Sequence, residues 1–178
     1  MDRDYLRHMD SMDNGTLREI MEQYWSEIWN YAYFLTKDRE MARDIAQDAF
    51  IKSYYKIATY RGQASFKSWL LAIARNTAFR YKRSAFWRRV TLMPRPPAEE
   101  RTVESAEAAY WSRQETDELW RIVMDLPDKY REVLTLDILY DLPVKELAAL
   151  LRIPAGTVKS RLSRARRIVE DKRKEEQE

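Results

Sequence analysis

The stretch LPVKELAALLRIPAGTVKSRLSRARRIV, Leu142–Val169, joins a short apolar-periodic segment to a longer basic one through a break that holds Pro154 and Gly156. These are the proportions of a helix-turn-helix, in which the second helix enters the DNA major groove. Between Arg152 and Arg167 the chain places six Lys or Arg residues and no Asp or Glu. A groove-binding helix needs this composition because a carboxylate on it would be pushed against phosphate.

The basic segment divides into two faces at about 100° per residue. Val158, Leu162, Ala165 and Val169 cluster on one face, which we expect to pack on the rest of the domain. The opposite face carries Ser160, Ser163, Arg164 and Arg167, and its flanks carry Lys159, Arg161, Arg166 and Ile168. Arg164 is the best candidate to read a guanine, with the two serines as smaller contacts. A solvated basic helix without a ligand is the alternative.

The composition of the whole chain predicts an all-α protein. Only 3 of the 178 residues are Gly, and helix-forming residues are abundant. The length allows one medium domain or two small ones. Three prolines in MPRPPAEERTVESAEAA separate two apolar-periodic regions, so we predict two small helical domains joined by a flexible linker at residues 84–109.

Apolar spacing and turn residues predict where the helices begin and end. In the first domain, periodicity runs from Thr16 to about Thr59, with a break at Asp38–Arg39, and another helix starts near Ser65 and ends near Arg83. The predicted helices of the second domain are Ser112–Leu126, Asp128–Leu139, Val144–Leu151 and Gly156–Asp171.

The net charge of +3 conceals a blocky distribution along the chain. Residues 61–95 carry 9 basic and 0 acidic side chains, and residues 152–178 carry 9 basic and 5 acidic ones. Acids exceed bases in the other two segments: 11 to 8 in residues 1–60 and 13 to 6 in residues 96–151. Two cationic segments separated by an acidic one indicate two places that hold a polyanion.

Aromatic residues interleave the first cationic segment, YRGQASFKSWLLAIARNTAFRYKRSAFWRR, Tyr60–Arg89. A helical wheel assigns Phe66, Trp69, Leu70, Ile73 and Thr77 to the core, and Arg75, Phe79, Lys82 and Arg83 to the opposite face. Cations beside an exposed aromatic suit a single strand, because bases stack on aromatic rings, and the connector at Gly62 could hold an extruded base. Core packing alone would explain most of the aromatics equally well.

The segment ARDIAQDAFIKSYYKI, Ala42–Ile57, has one face for the core and a second face on which acidic and large apolar side chains are mixed. Its core face consists of Ala42, Ile45, Ala46, Ala49 and Ser53. Its other face presents Asp44, Gln47, Asp48, Ile51 and Tyr55. Acids around an exposed Ile and Tyr disfavour nucleic acid and favour a protein interface, although a contact between two helices of this chain remains an alternative.

The chain lacks the residue types that several classes of function require. There is no Cys, a single His at His8, no Gly-rich phosphate loop and no carboxylate cluster on the basic surfaces, so we expect no enzyme activity, metal, cofactor or small-molecule substrate. The charged start of the chain has no apolar signal region, and no apolar run approaches the roughly 18 residues of a membrane span. We therefore expect a soluble cytoplasmic protein.

Three motifs in a particular order resemble the bacterial RNA polymerase sigma factors of the extracytoplasmic-function (ECF) group. RDIAQDAF (43–50) resembles region 2.2 of that group, YRGQASFKSWLLAIARNTA (60–78) resembles regions 2.3 and 2.4, and LPDKYREVLTLDILYDLPVKELAALLRIPAGTVKSRLSRAR (126–166) resembles region 4. The resemblance spans roughly Gln23–Glu170. One departure is Arg152, at a turn position where relatives often have Gly.

The resemblance implies that residues 1–83 form region 2, residues 84–109 a linker and residues 110–178 region 4. Such a protein binds the RNA polymerase core enzyme, recognises promoter DNA and assists strand opening without covalent chemistry. An anti-sigma factor, often membrane-bound, usually holds it inactive.

The resemblance also implies which residues make the contacts. The implied core-polymerase contacts are Asp44, Gln47, Asp48, Ile51 and Tyr55. The implied contacts with the minus-10 element are Arg61, Gly62, Gln63, Ala64, Ser65, Phe66, Arg75, Asn76, Phe79, Arg80 and Arg83. The implied contacts with the minus-35 element are Thr157, Lys159, Ser160, Arg161, Ser163, Arg164 and Arg167.

Two other classes of function, a conventional DNA-binding regulator and a nucleic-acid enzyme, are alternatives to a sigma factor. A conventional DNA-binding regulator would use only the helix-turn-helix, dimerise through the first domain and bind a palindromic site without polymerase. An enzyme that acts on nucleic acid is disfavoured by the missing catalytic residue types.

Overall fold

A computed structural model of the chain describes the backbone of residues 11–91 and 114–176 and the side chains of residues 11–84 and 119–176. Within those ranges every regular element is helical, which confirms the all-α prediction. The α-helices are α1 (Asn14–Thr36), α2 (Arg39–Lys56), α3 (Phe66–Thr91), α4 (Gln114–Asp125), α5 (Asp128–Tyr140), α6 (Val144–Leu151) and α7 (Ala155–Glu175). A short 3-10 helix, Ile57–Thr59, follows α2.

Capping residues account for the boundaries in the first domain. Lys37 ends α1 in the left-handed conformation, with φ 57°, and the Asp38 carboxylate accepts a hydrogen bond from the Met41 backbone N–H at 2.9 Å to begin α2. Ser65 caps α3 in the same way, since its Oγ accepts from the Ser68 N–H at 3.1 Å. Helix α3 then continues to Thr91, into the stretch predicted to be linker. The rest of that linker and His8 lie outside the described residues.

The first domain packs α1, α2 and α3 around one another. The predicted core face of α2 is confirmed, because Ala42, Ile45, Ala46, Ala49 and Ser53 are all fully buried. Small side chains on this face let α1 and α3 approach α2 closely. Other buried side chains of this domain include Ile28, Phe34, Phe50, Leu70 and Leu71.

The second domain consists of α4 to α7, with Val133, Leu147, Leu150, Val158 and Leu162 among its buried residues. A proline directly precedes each of α5, α6 and α7, where its missing N–H would have no helical partner. The carbonyl of each proline accepts a backbone hydrogen bond from the N–H four residues further on, at 3.0–3.1 Å. Helices α6 and α7 are the predicted helix-turn-helix.

The two domains pack against each other, with α1 on α5 and α3 on α6. We call this contact the interdomain seam. Tyr140 on α5 donates a hydrogen bond to the Glu27 carbonyl at 2.6 Å, and Arg131 Nε donates to the Phe34 carbonyl at 2.7 Å. Buried apolar residues of both domains form one continuous cluster. Helical periodicity predicted two domains but gave no sign of the seam.

Residues 11–91 and 114–176 contain no helix that is both long and apolar enough to cross a membrane.

The turn of the helix-turn-helix generates a prediction about stability. Arg152 adopts the left-handed conformation, with φ 57° and ψ 46°, and its N–H and that of Ile153 bond to carbonyls at the end of α6. Because this conformation strains a residue with a Cβ, Arg152→Gly should raise the free energy of unfolding by about 0.5–1 kcal/mol. Urea denaturation followed by circular dichroism measures this change.

The matched control is Lys159→Gly, at an exposed helical position of α7. Glycine there should lower the free energy of unfolding by about 1 kcal/mol, because it has no strain to relieve. Equal destabilisation by both substitutions would contradict the account of the turn.

Candidate nucleic-acid and protein interfaces

The basic face of α7 is open to solvent. Val158, Leu162 and Ala165 are buried as predicted, and Val169 is half-buried. Five of the predicted minus-35 contacts are exposed, and Thr157 and Arg161 are half-buried. The exposed five are Lys159, Ser160, Ser163, Arg164 and Arg167. The helix therefore presents a cationic face while its apolar stripe anchors it to the domain.

Side chains of α5 hold two arginines of this helix. Arg166 Nη2 lies 2.6 Å from the Asp137 carboxylate, so one flanking cation is already paired. Arg164 hydrogen-bonds the phenol of Tyr130, and this bond lowers the pKa of Tyr130 below its usual value. Arg164 thus lies beside a phenol rather than a carboxylate.

The loop between the 3-10 helix and α3 is braced from inside. Gly62 has φ 66°, a left-handed conformation that favours glycine, and the Tyr60 hydroxyl donates to the Ala64 carbonyl at 3.1 Å. Phe66 is buried in an aromatic cluster, with ring centroids 5.4–5.8 Å from those of Tyr24, Tyr60 and Trp69. Among the predicted minus-10 contacts in this loop, Arg61 and Gln63 are exposed, Gly62, Ala64 and Ser65 are half-buried and Phe66 is in the core.

On α3, the structure corrects part of the predicted outward face. Phe79 and Arg83 are exposed, as are the minus-10 candidates Asn76 and Arg80, but Arg75 and Lys82 turn toward the second domain. The Arg75 side chain is only 16% exposed, and its Nε lies 2.6 Å from Glu132 Oε1. It also lies over the Phe79 ring, 4.6 Å from the centroid. The helical wheel placed Arg75 and Lys82 on an outward face because it considers α3 alone. It does not include the carboxylate that α5 supplies.

Two carboxylates of the second domain, Glu132 and Glu146, had no role in the sequence analysis. Glu132 accepts from both Arg75 and the Tyr31 hydroxyl, and Glu146 accepts from the Ser65 and Ser68 hydroxyls. A signal was available for Glu132, which shares the i, i+4, i+8 stripe of α5 with the buried Leu136 and Tyr140. A carboxylate on an apolar stripe requires a partner.

The predicted protein-binding face of α2 is exposed where it is apolar. Ile51 is 46% and Tyr55 79% exposed, and Asp44 and Gln47 are exposed beside them. No described helix covers this face, so the alternative of an internal helix contact is not supported. Asp48 is half-buried and differs from the others because it is paired within the domain.

Asp48 connects α2 to the cationic helix α3. Its Oδ2 lies 3.5 Å from Lys52 Nζ and 3.2 Å from Arg80 Nη2. Lys52 also donates to the Thr77 hydroxyl at 2.9 Å, and partial burial together with the Arg80 charge lowers the pKa of Lys52. The predicted polymerase and minus-10 surfaces therefore share an ion pair, Asp48–Arg80.

Within the described part of the chain, no group of His, Cys, Asp and Glu side chains could hold a metal ion.

Comparison with known families locates two matches that follow the order of the domains. The family model described as "Sigma-70 region 2" matches residues 20–88, and the one described as "Sigma-70, region 4" matches residues 116–169. The first match contains the α2 face and the loop before α3, and the second contains the helix-turn-helix.

Curated relatives match nearly the whole chain. The RNA polymerase sigma factor YlaC of Bacillus subtilis is 30% identical over 162 residues, which cover 90% of this chain and 91% of the relative. The ECF RNA polymerase sigma-E factor of Haemophilus influenzae is 31% identical over an alignment of 188 residues, gaps included, which covers 96% of this chain and 94% of the relative.

Two solved structures share the fold. One is the sigma factor RpoE in complex with the anti-sigma factor NepR from Bartonella quintana, with a TM-score of 0.67, 21% identity, and coverage of 86% of this chain and 94% of that chain. The other is CnrH in complex with the cytosolic domain of CnrY, with a TM-score of 0.62, 18% identity, and coverage of 89% and 88%.

The ordered pair of family matches and the relatives that cover 90% and 96% of the chain agree with the motifs at 43–50, 60–78 and 126–166. This chain belongs to the extracytoplasmic-function group of sigma-70 RNA polymerase sigma factors, which recognise promoters and initiate transcription.

Proposed function

We propose that this chain divides promoter recognition between its two domains. Residues 1–83 bind the polymerase core enzyme and the minus-10 element, residues 84–109 link the domains, and residues 110–178 bind the minus-35 element. The observation that carries the proposal is the solvent-exposed cationic face of α7, which lies on the same chain as an exposed apolar face bordered by acids on α2.

The minus-35 element is bound by α7 in the major groove. Arg164 reaches a base edge, because it is exposed and lies beside a phenol rather than a carboxylate. Lys159 and Arg167 are exposed on the same helix and neutralise phosphates, with Arg161 beside them. Thr157, Ser160 and Ser163 supply shorter polar contacts.

The minus-10 element is bound by the loop Arg61–Phe66 and the exposed side of α3. The aromatic cluster under the loop fixes its shape, so that the exposed Arg61 and Gln63 meet an extruded base from a rigid support. Phe79 is 43% exposed and offers a ring on which a second base can stack. Asn76, Arg80 and Arg83 follow the strand along α3, and Arg75 joins them when it is released from Glu132.

The core polymerase is bound by the exposed face of α2. Tyr55 and Ile51 act as apolar anchors, and Asp44 and Gln47 form their polar rim. Asp48 has a double role, because it borders this face while its ion pair with Arg80 positions the adjacent DNA-binding helix.

We further expect an anti-sigma factor as a second protein partner, as in the complex of RpoE with NepR. The protein would work in the cytoplasm, where the polymerase is, or be held at the membrane by such a partner. It would act by binding alone, without catalysis.

In vitro transcription with core polymerase tests the proposed function. A fragmented genomic template is transcribed with and without this protein, and the 5′ ends of the transcripts are sequenced. We expect a set of start sites that depends on the protein and shares two upstream elements. The absence of any added start site would contradict the proposal, and a palindromic site bound without polymerase would favour a conventional regulator.

Substitution of one apolar anchor should separate polymerase binding from DNA binding. Ile51→Arg places a charge at the centre of the α2 face and should weaken binding to core polymerase at least tenfold, because hot-spot residues commonly contribute about 2 kcal/mol or more. Fluorescence titration with labelled core enzyme measures the affinity. Gln23→Arg, which adds the same charge at an exposed position of α1, is the matched control and should change it less than twofold. Equal losses in both variants would refute the assignment of this face.

Two substitutions on α7 should have different effects on DNA binding. Arg164→Ala should cost about 1–3 kcal/mol on the preferred minus-35 element and relax selectivity at one position, because it removes a base contact. Lys159→Ala should weaken all sequences alike and reduce the slope of log affinity against log salt by about 1, because it removes a phosphate contact. Binding of polymerase holoenzyme to a library of minus-35 variants at several salt concentrations measures both effects. Uniform weakening by Arg164→Ala would show that it does not read a base.

A further inference from the structure

One acidic residue of the α2 face makes its contacts with the DNA-binding helix α3. We propose that Asp48, held by Lys52 and Thr77, fixes the position of the Arg80 guanidinium and thereby helps to select the base sequence of the minus-10 element. Asp48 is then a positioning residue for DNA recognition as well as part of the proposed polymerase face. This inference rests on the proposed binding of the minus-10 element by the exposed side of α3.

The burial and the contacts of Asp48 set it apart from the rest of the α2 face. The other four residues of that face are exposed, whereas Asp48 is half-buried. Its Oδ2 accepts a hydrogen bond from Arg80 Nη2 at 3.2 Å, across the contact between α2 and α3. The carboxylate is therefore directed at the helix that is proposed to meet the minus-10 strand.

Further groups hold the Asp48 carboxylate in place. Lys52 Nζ lies 3.5 Å from Asp48 Oδ2 and donates to the Thr77 hydroxyl at 2.9 Å. Thr77 is buried on α3, so its hydroxyl is a fixed point. Tyr81 also hydrogen-bonds Asp48, and burial together with the Asp48 charge raises the pKa of the Tyr81 phenol, which stays protonated as a donor. We call Asp48, Lys52 and Thr77 the α2–α3 brace.

The α2–α3 brace holds Arg80 without cancelling its charge. Arg80 and Lys52 share one carboxylate, so two cations and one anion leave a net charge of +1. The contact with Asp48 uses Nη2, and a guanidinium carries five N–H donors in a planar fork, so Arg80 can meet Asp48 and DNA together. Its side chain is 56% exposed. The guanidinium is thus both held and open to a base edge or a phosphate.

Arg80 lies in the middle of the exposed stripe of α3. Asn76, four residues before it, and Arg83, three residues after it, are exposed on the same side of the helix. A long arginine side chain loses rotamer freedom when it binds, and one that is already held loses less. An arginine held in one position also favours a base within reach of its fork over other bases. The brace therefore contributes to selectivity as well as to affinity.

A pooled set of templates tests the brace in the intact holoenzyme. One promoter found by the transcription assay is randomised across its minus-10 element, and each template carries a barcode in its transcribed region. Core polymerase transcribes the pool with a saturating amount of each variant, and sequencing of the barcodes gives the base preference at each position. If the parent chain shows no preference, the proposed function itself fails; the brace is judged by how the variants differ from a parent that does select.

The expected changes are confined to one position of the minus-10 element. Asp48→Asn should weaken the preference there about threefold, because an amide holds a guanidinium less strongly than a carboxylate does. Arg80→Ala should lose the preference at the same position. The double variant should match Arg80→Ala alone, since Asp48 acts through Arg80 and the two effects are not additive. Asp48→Glu keeps the charge and should retain most of the preference.

Two further variants make the comparison specific. Glu40→Gln removes one negative charge at an exposed position of the same helix and, as the matched control, should leave the preference at every position unchanged. Thr77→Val removes the hydroxyl that holds Lys52 while keeping the shape of the side chain. It should weaken the same preference by a smaller factor, and it replaces Asp48→Asn if that variant does not fold. Circular dichroism reports the fold, and fluorescence titration with labelled core enzyme reports the polymerase affinity.

Unchanged base preferences in Asp48→Asn, with or without a uniform loss of transcription, would overturn the brace and show that Asp48 serves only the polymerase contact. Changes at different positions in Asp48→Asn and Arg80→Ala, or additive changes in the double variant, would overturn the action of Asp48 through Arg80.

Discussion

The Glu132 carboxylate lies almost fully buried on an apolar stripe of α5, and the arrangement of the two domains depends on how that charge is compensated. Removal of a carboxylate from water costs several kcal/mol unless a cation and hydrogen bonds replace the lost hydration. Arg75 and Tyr31, from two helices of the first domain, supply both. Since neither partner belongs to the second domain, Glu132 is compensated in this way only when the domains are together.

The same chemistry recurs along α3. Arg75, Lys82 and Ser65, which caps the helix, each contact a carboxylate of the second domain. Arg131 adds a purely structural bridge, because its guanidinium bonds to the Met124 and Leu126 carbonyls at the end of α4 and to the Phe34 carbonyl of α1. The second domain thereby joins its own helix end to the first domain.

Local patterns predicted the helices with small errors. The breaks at Asp38 and Ser65 were visible because capping residues act within three positions of themselves. The buried stripe of α7 was predicted because apolar spacing reports which side of a helix leaves water. The end of α3 was predicted too early, because the linker was placed at Ser84, ten residues before its first proline. No helix-breaking residue lies between Ser84 and Pro94, and the helix continues to Thr91.

The sequence by itself determined the helical class, the division into two domains and the faces of α2 and α7 that lie buried or open, because those properties follow from residue types at local spacings. The tertiary structure decided that Arg75 is covered and that Glu132 and Glu146 touch the first domain. Periodicity indicates that a helix face is covered but not by which helix. Partners 57 and 81 residues apart in the chain become neighbours only when whole domains pack.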